Sequence, residues 1–220
     1  DVYKRQKENE FVPNPEFVPS FKKEEENYKE AAKILKESGA DLLVLEMLLD
    51  VDHSKILLNA ALETGLPVWV GLSCCDSKFD NSVIGRNFRA EKEKSLIYDE
   101  NKYRDQPKYL PEDKIILLED IIKSLTSLGG DVYGIMHTWF QDSIGGLKIL
   151  KNNWKGPIMF YPEIHKFDTN THKAIITMTE EEFSNSILEL IDDQIQIVGG
   201  CCGVNAVSYT HLTLPTTMWV

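Results

Sequence analysis

Residues 39–73 read GADLLVLEMLLDVDHSKILLNAALETGLPVWVGLS. Asp41 to Glu46 is a short apolar run with the character of a buried strand. A helix is expected from about Asp52 to Thr64, because Ile56, Leu57, Ala60 and Ala61 share one face and Gly65 supplies a C-terminal cap. Pro67 to Ser73 is the next strand. A strand, an amphipathic helix and a second strand in this order make a parallel unit, since a crossover helix returns the chain to the same edge.

The same rhythm continues on both sides. Upstream, Tyr28, Ala31, Ala32 and Leu35 lie at helical spacing before a stop at Gly39. Downstream, Cys75 to Pro111 is polar with scattered aromatics and is expected to be a long loop near a functional face. Pro111 then opens a helix whose stripe is Ile115, Leu118, Ile122 and Leu125, ending at Gly129-Gly130. Asp131 to His137 reads as a third strand, about Asp142 to Asn152 as a helix, and Pro157 to Tyr161 as a fourth strand. A capping box of Thr179 and Glu182 opens a helix carrying Phe183, Ile187, Leu190 and Ile191, and Ile195 to Val198 closes the series. Five strand-helix steps in one direction imply a parallel α/β sheet. The pattern leaves open whether it is doubly wound or part of a (β/α)8 TIM barrel.

With 220 residues, 42% of them hydrophobic, the chain can bury one sizeable core and is expected to be a single domain. Its apolar runs, such as Leu42 to Leu45, are far short of the roughly 20 residues that cross a bilayer. Asp1 to Glu10 is polar, without the apolar segment of a secretory signal, so a cytoplasmic location is expected. The net charge of -11 argues against nucleic acid or an anionic membrane as partner. Both ends depart from the α/β pattern: residues 1–6 (DVYKRQ) and 207–220 (VSYTHLTLPTTMWV) resemble translated adapter tails, leaving 7–206 as the domain. His211 and Trp219 are set aside with them.

The four cysteines form two adjacent pairs, Cys74-Cys75 and Cys201-Cys202, a layout better suited to thiolate or metal chemistry than to disulfides. The second pair lies in Ile197-Val198-Gly199-Gly200-Cys201-Cys202-Gly203, where an apolar strand ends in glycines and thiols. Strand C-termini line the active face of parallel α/β folds, so both sulfurs belong at its mouth. Thiolates are good Zn2+ ligands, and catalytic zinc takes three protein ligands with one open position. Two other readings stand beside this one: small packing residues, or a glycine-rich turn that cradles phosphate.

GGCCG after an apolar strand resembles the C-terminal signature of the homocysteine S-methyltransferases. GADLLVLEM at Gly39 to Met47 is similar to that family's strand bearing a substrate-binding glutamate, LPVWVGLS to its next strand, and Tyr161-Pro162 to its strand before the last. The resemblance spans about Lys22 to Asn205 and implies the last five strand-helix units of a zinc-dependent barrel, the opening strands having no counterpart before Phe11. It implies Cys201 and Cys202 as metal ligands and Glu46 as the group that holds the substrate's ammonium. The family's other cysteine ligand closes a Gly-x-Asn-Cys motif, where this chain has Gly134-Ile135-Met136-His137. Imidazole is an ordinary zinc ligand, so His137 is the expected third.

The reaction so implied is methyl transfer from a small-molecule donor to the thiol of homocysteine, giving methionine. The alternative is a non-catalytic or divergent zinc- or thiol-binding barrel relative. Cys74 and Cys75 are expected to be packing residues, His165 a loop residue near the pocket, and His53 and His172 solvent-facing. Donor and oligomeric state are left open.

Overall fold

The computed structural model describes residues 19–49, 51–76, 82–86, 115–168 and 173–213. Residues 1–6, Pro111, His172 and Trp219 lie outside them.

Helix α1 (Phe21–Glu37) starts where the Ser20 hydroxyl accepts the Lys23 N–H at 3.3 Å. It is followed by β1 (Leu43–Leu48), α2 (Val51–Leu62) and β2 (Val68–Leu72). Three short strands come next, β3 (Cys75–Asp76), β4 (Val83–Arg86) and β5 (Ile115–Leu117), then α3 (Leu118–Thr126). The chain continues through β6 (Val132–Trp139), α4 (Phe140–Asn153), β7 (Ile158–Glu163), β8 (His165–Asp168) and β9 (Lys173–Ile176). It ends with α5 (Glu180–Leu190), β10 (Ile195–Val198) and α6 (Ala206–Thr213).

The main sheet has five strands in the order β1-β2-β6-β7-β10, and every pair is parallel. Each strand lies beside its predecessor in the chain, with no reversal. Right-handed crossovers then put successive helices on one side, whereas a doubly wound sheet needs a switch point where the order turns back. This topology is a section of barrel wall.

Alternation along β1 shows the two sides. Leu43 and Leu45 are buried, whereas Val44 and Glu46 are exposed. The helix side carries the core, in which Leu58, Leu118, Ile122, Leu125, Leu150, Phe183 and Ile187 meet Val68, Val70, Tyr133, Ile135, Ile158 and Phe160. Each such side chain contributes about 1.5–3 kcal/mol on burial, so helix packing dominates the stability.

Several expectations are corrected. Cys75 to Pro111 is not wholly loop: β3 and β4 lie in it, and with β5 they form a three-stranded antiparallel sheet. Ile115 accordingly belongs to a strand, and the helix begins at Leu118. Two consecutive β-branched residues, Ile115 and Ile116, favour the extended form. The β8–β9 hairpin between β7 and α5 was not expected. His53 is not solvent-facing; it is half-buried, bonded to the buried Glu24 carboxylate, with its ring 5.8 Å from that of Phe21. Helix α6 runs across position 207, and its Ser208 and Leu212 are buried, which leaves the expected boundary there untested. Among the described residues no helix is long and apolar enough to cross a membrane.

Candidate metal centre

His137 sits where β6 loses register with β7, between Met136 and Trp139. Its φ is +45°, and among the described residues only Met47, at the end of β1, is another non-glycine residue with positive φ. That conformation costs roughly 1–2 kcal/mol. It is held by the Ser73 and Thr138 hydroxyls, which both donate to the Met136 carbonyl, at 3.0 and 2.9 Å. The kink re-aims the side chain after a strand that otherwise alternates.

The cysteine loop is zipped to β7. Gly199 N–H donates to Phe160 O at 3.1 Å and Cys201 N–H to Pro162 O at 3.0 Å, while Cys202 O accepts from Ile164 N–H at 3.0 Å. A β-carbon on Gly200 would lie 2.1–2.5 Å from three side-chain atoms of Val204. Gly203 has φ +87°, a region that favours glycine. From α6, the Tyr209 hydroxyl accepts the Gly200 N–H at 3.0 Å.

These two supports bring four side chains together: His137, Glu163, Cys201 and Cys202, with their donor atoms all within 4.8 Å of one another. Cys201 Sγ is 3.6 Å from His137 Nδ1 and 3.8 Å from Cys202 Sγ. His137 Nδ1 is 3.7 Å from Glu163 Oε2. With zinc–sulfur bonds of about 2.3 Å and zinc–nitrogen bonds of about 2.0–2.1 Å, a tetrahedron has S–S edges of about 3.8 Å and S–N edges of about 3.6 Å. The donor set and its spacing therefore fit zinc. Burial pushes the Cys201 thiol up to about 11, and the neighbouring Cys202 sulfur and Glu163 carboxylate add to the shift.

Glu46 stands at the same end of the sheet, exposed, on β1. Its carboxylate and the Cys201 sulfur both bear on Tyr161, whose phenol is pushed up to about 12 by burial first and by those two charges next. Tyr161 pairs in register with Met136. Met136 covers Gly71, where a β-carbon would come 2.3 Å from its sulfur, and that sulfur accepts the Met47 N–H at 3.4 Å.

The sequence profile described as homocysteine S-methyltransferase matches residues 7–95 and 117–210. The chain belongs to the homocysteine S-methyltransferase family. No curated protein sequence matches it. Its fold is similar to that of the Escherichia coli homocysteine methyltransferase MmuM in the metallated form, with TM-score 0.60, 14% identity, and coverage of 90% of this chain and 53% of that one. The apo form of the same protein gives 0.59 at 15% identity, covering 90% and 58%. A dihydrodipicolinate synthase of Bacillus anthracis gives 0.50 at 12% identity, covering 91% and 55%. The chain thus spans between half and three-fifths of the length of these structures, and its fold is a partial TIM barrel.

In this member of the family, the structure gathers Cys201, Cys202 and His137 and sets Glu46 across the same face. It leaves Cys74 elsewhere, packed against the core beneath α4, where a β-carbon on Gly146 would lie 2.6 Å from its sulfur. His165 lies against Gly203 with its Nδ1 buried and without a hydrogen-bond partner among the described residues, outside the four-donor group. Glu163 was missed in the sequence. It lies two residues beyond Tyr161, where the strand was expected to end, and β7 runs on to it.

Proposed function

We propose that the whole protein transfers a methyl group from an activated small-molecule donor to the thiol of homocysteine, forming methionine. Cys201, Cys202 and His137 hold Zn2+, and Glu46 binds the ammonium of the amino-acid substrate. The observation that carries this is the convergence of two thiols and an imidazole at tetrahedral spacing on the C-terminal face of a barrel wall, in a chain of this family.

A bound zinc ion favours the thiolate form of a coordinated thiol, the nucleophile, at neutral pH. The chain's own residues do the rest. The zipped cysteine loop and the kinked end of β6 pre-set the donors, so little ordering remains when the site fills. Glu46 attracts a cationic amine, and the Tyr161 phenol beside it stays protonated as a hydrogen-bond donor. A strand-end placement of both keeps the substrate's sulfur end toward the cysteines and its amine end toward β1. Among the described residues the cysteines form no disulfide, which suits the reducing cytoplasm.

The test is zinc content of the full-length protein by elemental analysis, together with homocysteine-dependent methyl transfer. About one zinc per chain, lost in His137→Ala and in Cys201→Ser along with activity, is expected. No zinc in the wild type overturns the assignment. Zinc retention without methyl transfer favours a divergent zinc-binding relative, a reading prompted by Met136-His137 standing where the family has Asn-Cys.

A further inference from the structure

β1 and β6 are both irregular near the same end of the sheet. From Leu45 to Leu48 β1 advances three residues while β2 advances two, from Val70 to Leu72. From Met136 to Trp139 β6 likewise advances three while β7 advances two, from Tyr161 to Glu163. Each stretch holds one residue of positive φ, Met47 at +57° and His137 at +45°. An extra residue takes a backbone N–H out of the ladder, and that donor needs another acceptor. For Met47 the acceptor is the Met136 sulfur, at 3.4 Å. β2 lies between the two strands, and the thioether crosses it at Gly71, where a β-carbon would come 2.3 Å from the sulfur. Met136 is 3% exposed, so the contact is shielded from water.

We propose that Met136 is a positioning residue for the amine end of the substrate: its thioether fixes the bulge of β1, and with it Glu46, against the strand that carries His137. The inference rests on the reading of Glu46 as the group that binds the ammonium. Glu46 precedes Met47 and Met136 precedes His137, so one contact ties the two ends of the site together. A left-handed residue in a bulge costs free energy and persists only where its surroundings hold it. Once released, the bulge relaxes and the Glu46 carboxylate moves with it, while the cysteines and His137 keep their places. A thioether is a weak acceptor, yet a misplacement of about 1 Å in a positioning group is enough to impair a site.

The experiment compares wild type with Met136→Leu and Glu46→Gln in the full-length protein. Leucine keeps the volume of methionine and removes the acceptor, a swap that cores tolerate. The readouts are zinc per chain, KM and kcat for homocysteine, the inhibition constant of its deamino analogue, and the exchange rate of the Met47 amide proton in the zinc-free protein. In M136L zinc content and kcat should match wild type, while KM for homocysteine rises about tenfold. The inhibition constant of the deamino analogue should not change, because only the amine uses Glu46. The Met47 amide should exchange about fivefold faster. E46Q should separate homocysteine from the analogue in the same way. An unchanged KM in M136L, with that separation present in E46Q, would overturn the role of Met136 and leave Glu46 standing. Loss of zinc in M136L, or equal weakening of homocysteine and the analogue, would place the effect at the metal end or in pocket shape and overturn the proposal too. No separation in E46Q would overturn the reading of Glu46, and the proposal with it.

Discussion

At the scale of single residues, the site depends on backbone positions as much as on its donors. His137 keeps a left-handed φ only because the Ser73 and Thr138 hydroxyls hold the carbonyl before it. A thiol at that position would still face Cys201, so His137→Cys is expected to retain about one zinc per chain where His137→Ala retains none, by elemental analysis. Gly200 is the stricter case. A methyl group there meets the Val204 side chain at 2.1–2.5 Å, so either the valine or the cysteine loop must move. Overpacking of this kind costs about 1–3 kcal/mol. The loop is bonded to β7 and its Val204 packs against the core, so the strain is shared between the metal site and the core, and in Gly200→Ala zinc affinity should drop roughly 10- to 100-fold with a fall in Tm beside it. Adding Val204→Gly removes the clash and should restore binding. Equal affinity in G200A and wild type would show that the loop is not set by this contact.

At the scale of elements, α5 offers the cleanest measurement. The Thr179 hydroxyl accepts the Glu182 N–H at 3.2 Å while Glu182 Oε2 accepts the Thr179 N–H at 2.8 Å, a reciprocal cap. Thr179→Ala should lower stability by about 1 kcal/mol in urea unfolding. The Thr179 backbone N–H holds the Glu182 carboxyl below its ordinary value, with the Thr179 hydroxyl adding to the shift. A folded value below the unfolded one contributes stability that is present above about pH 4.3 and is lost as pH falls through the folded value. The fall of the urea midpoint between pH 6 and pH 3 should therefore be smaller in Glu182→Gln. This cap, like the five strand-helix steps, was legible in the sequence because buried parallel strands are apolar throughout and their helices carry a 3.6-residue stripe. The antiparallel sheet β3–β4–β5 was not, since strands of two, four and three residues carry too few side chains to show alternation. Cys201 and Cys202 stood out as paired thiols after an apolar strand, and with the resemblance to the family His137 and Glu46 stood out at strand ends as well. Glu163 did not, because a single carboxylate after a proline has no pattern of its own until the kink of β6 turns an imidazole toward it.

At the scale of the whole molecule, the proposed metal donors come from β6 and the loop after β10, whereas Glu46 comes from β1 at the far edge of the sheet. Among the described residues β1 and β10 each have one neighbour in the main sheet. In a closed barrel every strand has two, and closure also fills the inner face with side chains. Here that face carries Val44 and Met47 at 40% and 44% exposure. An open edge with apolar residues beside it is a template for pairing with another copy. The 220-residue chain by itself is therefore expected to self-associate, seen as an apparent mass that rises with concentration in light scattering coupled to gel filtration. Val44→Lys puts a charge on the exposed side of β1, away from the helix-packed core, and should lower that association without lowering Tm. Zinc should still bind, since no proposed donor lies on β1. A monomer at every concentration would mean that the two edges are covered by the chain itself, and self-pairing would no longer account for its behaviour.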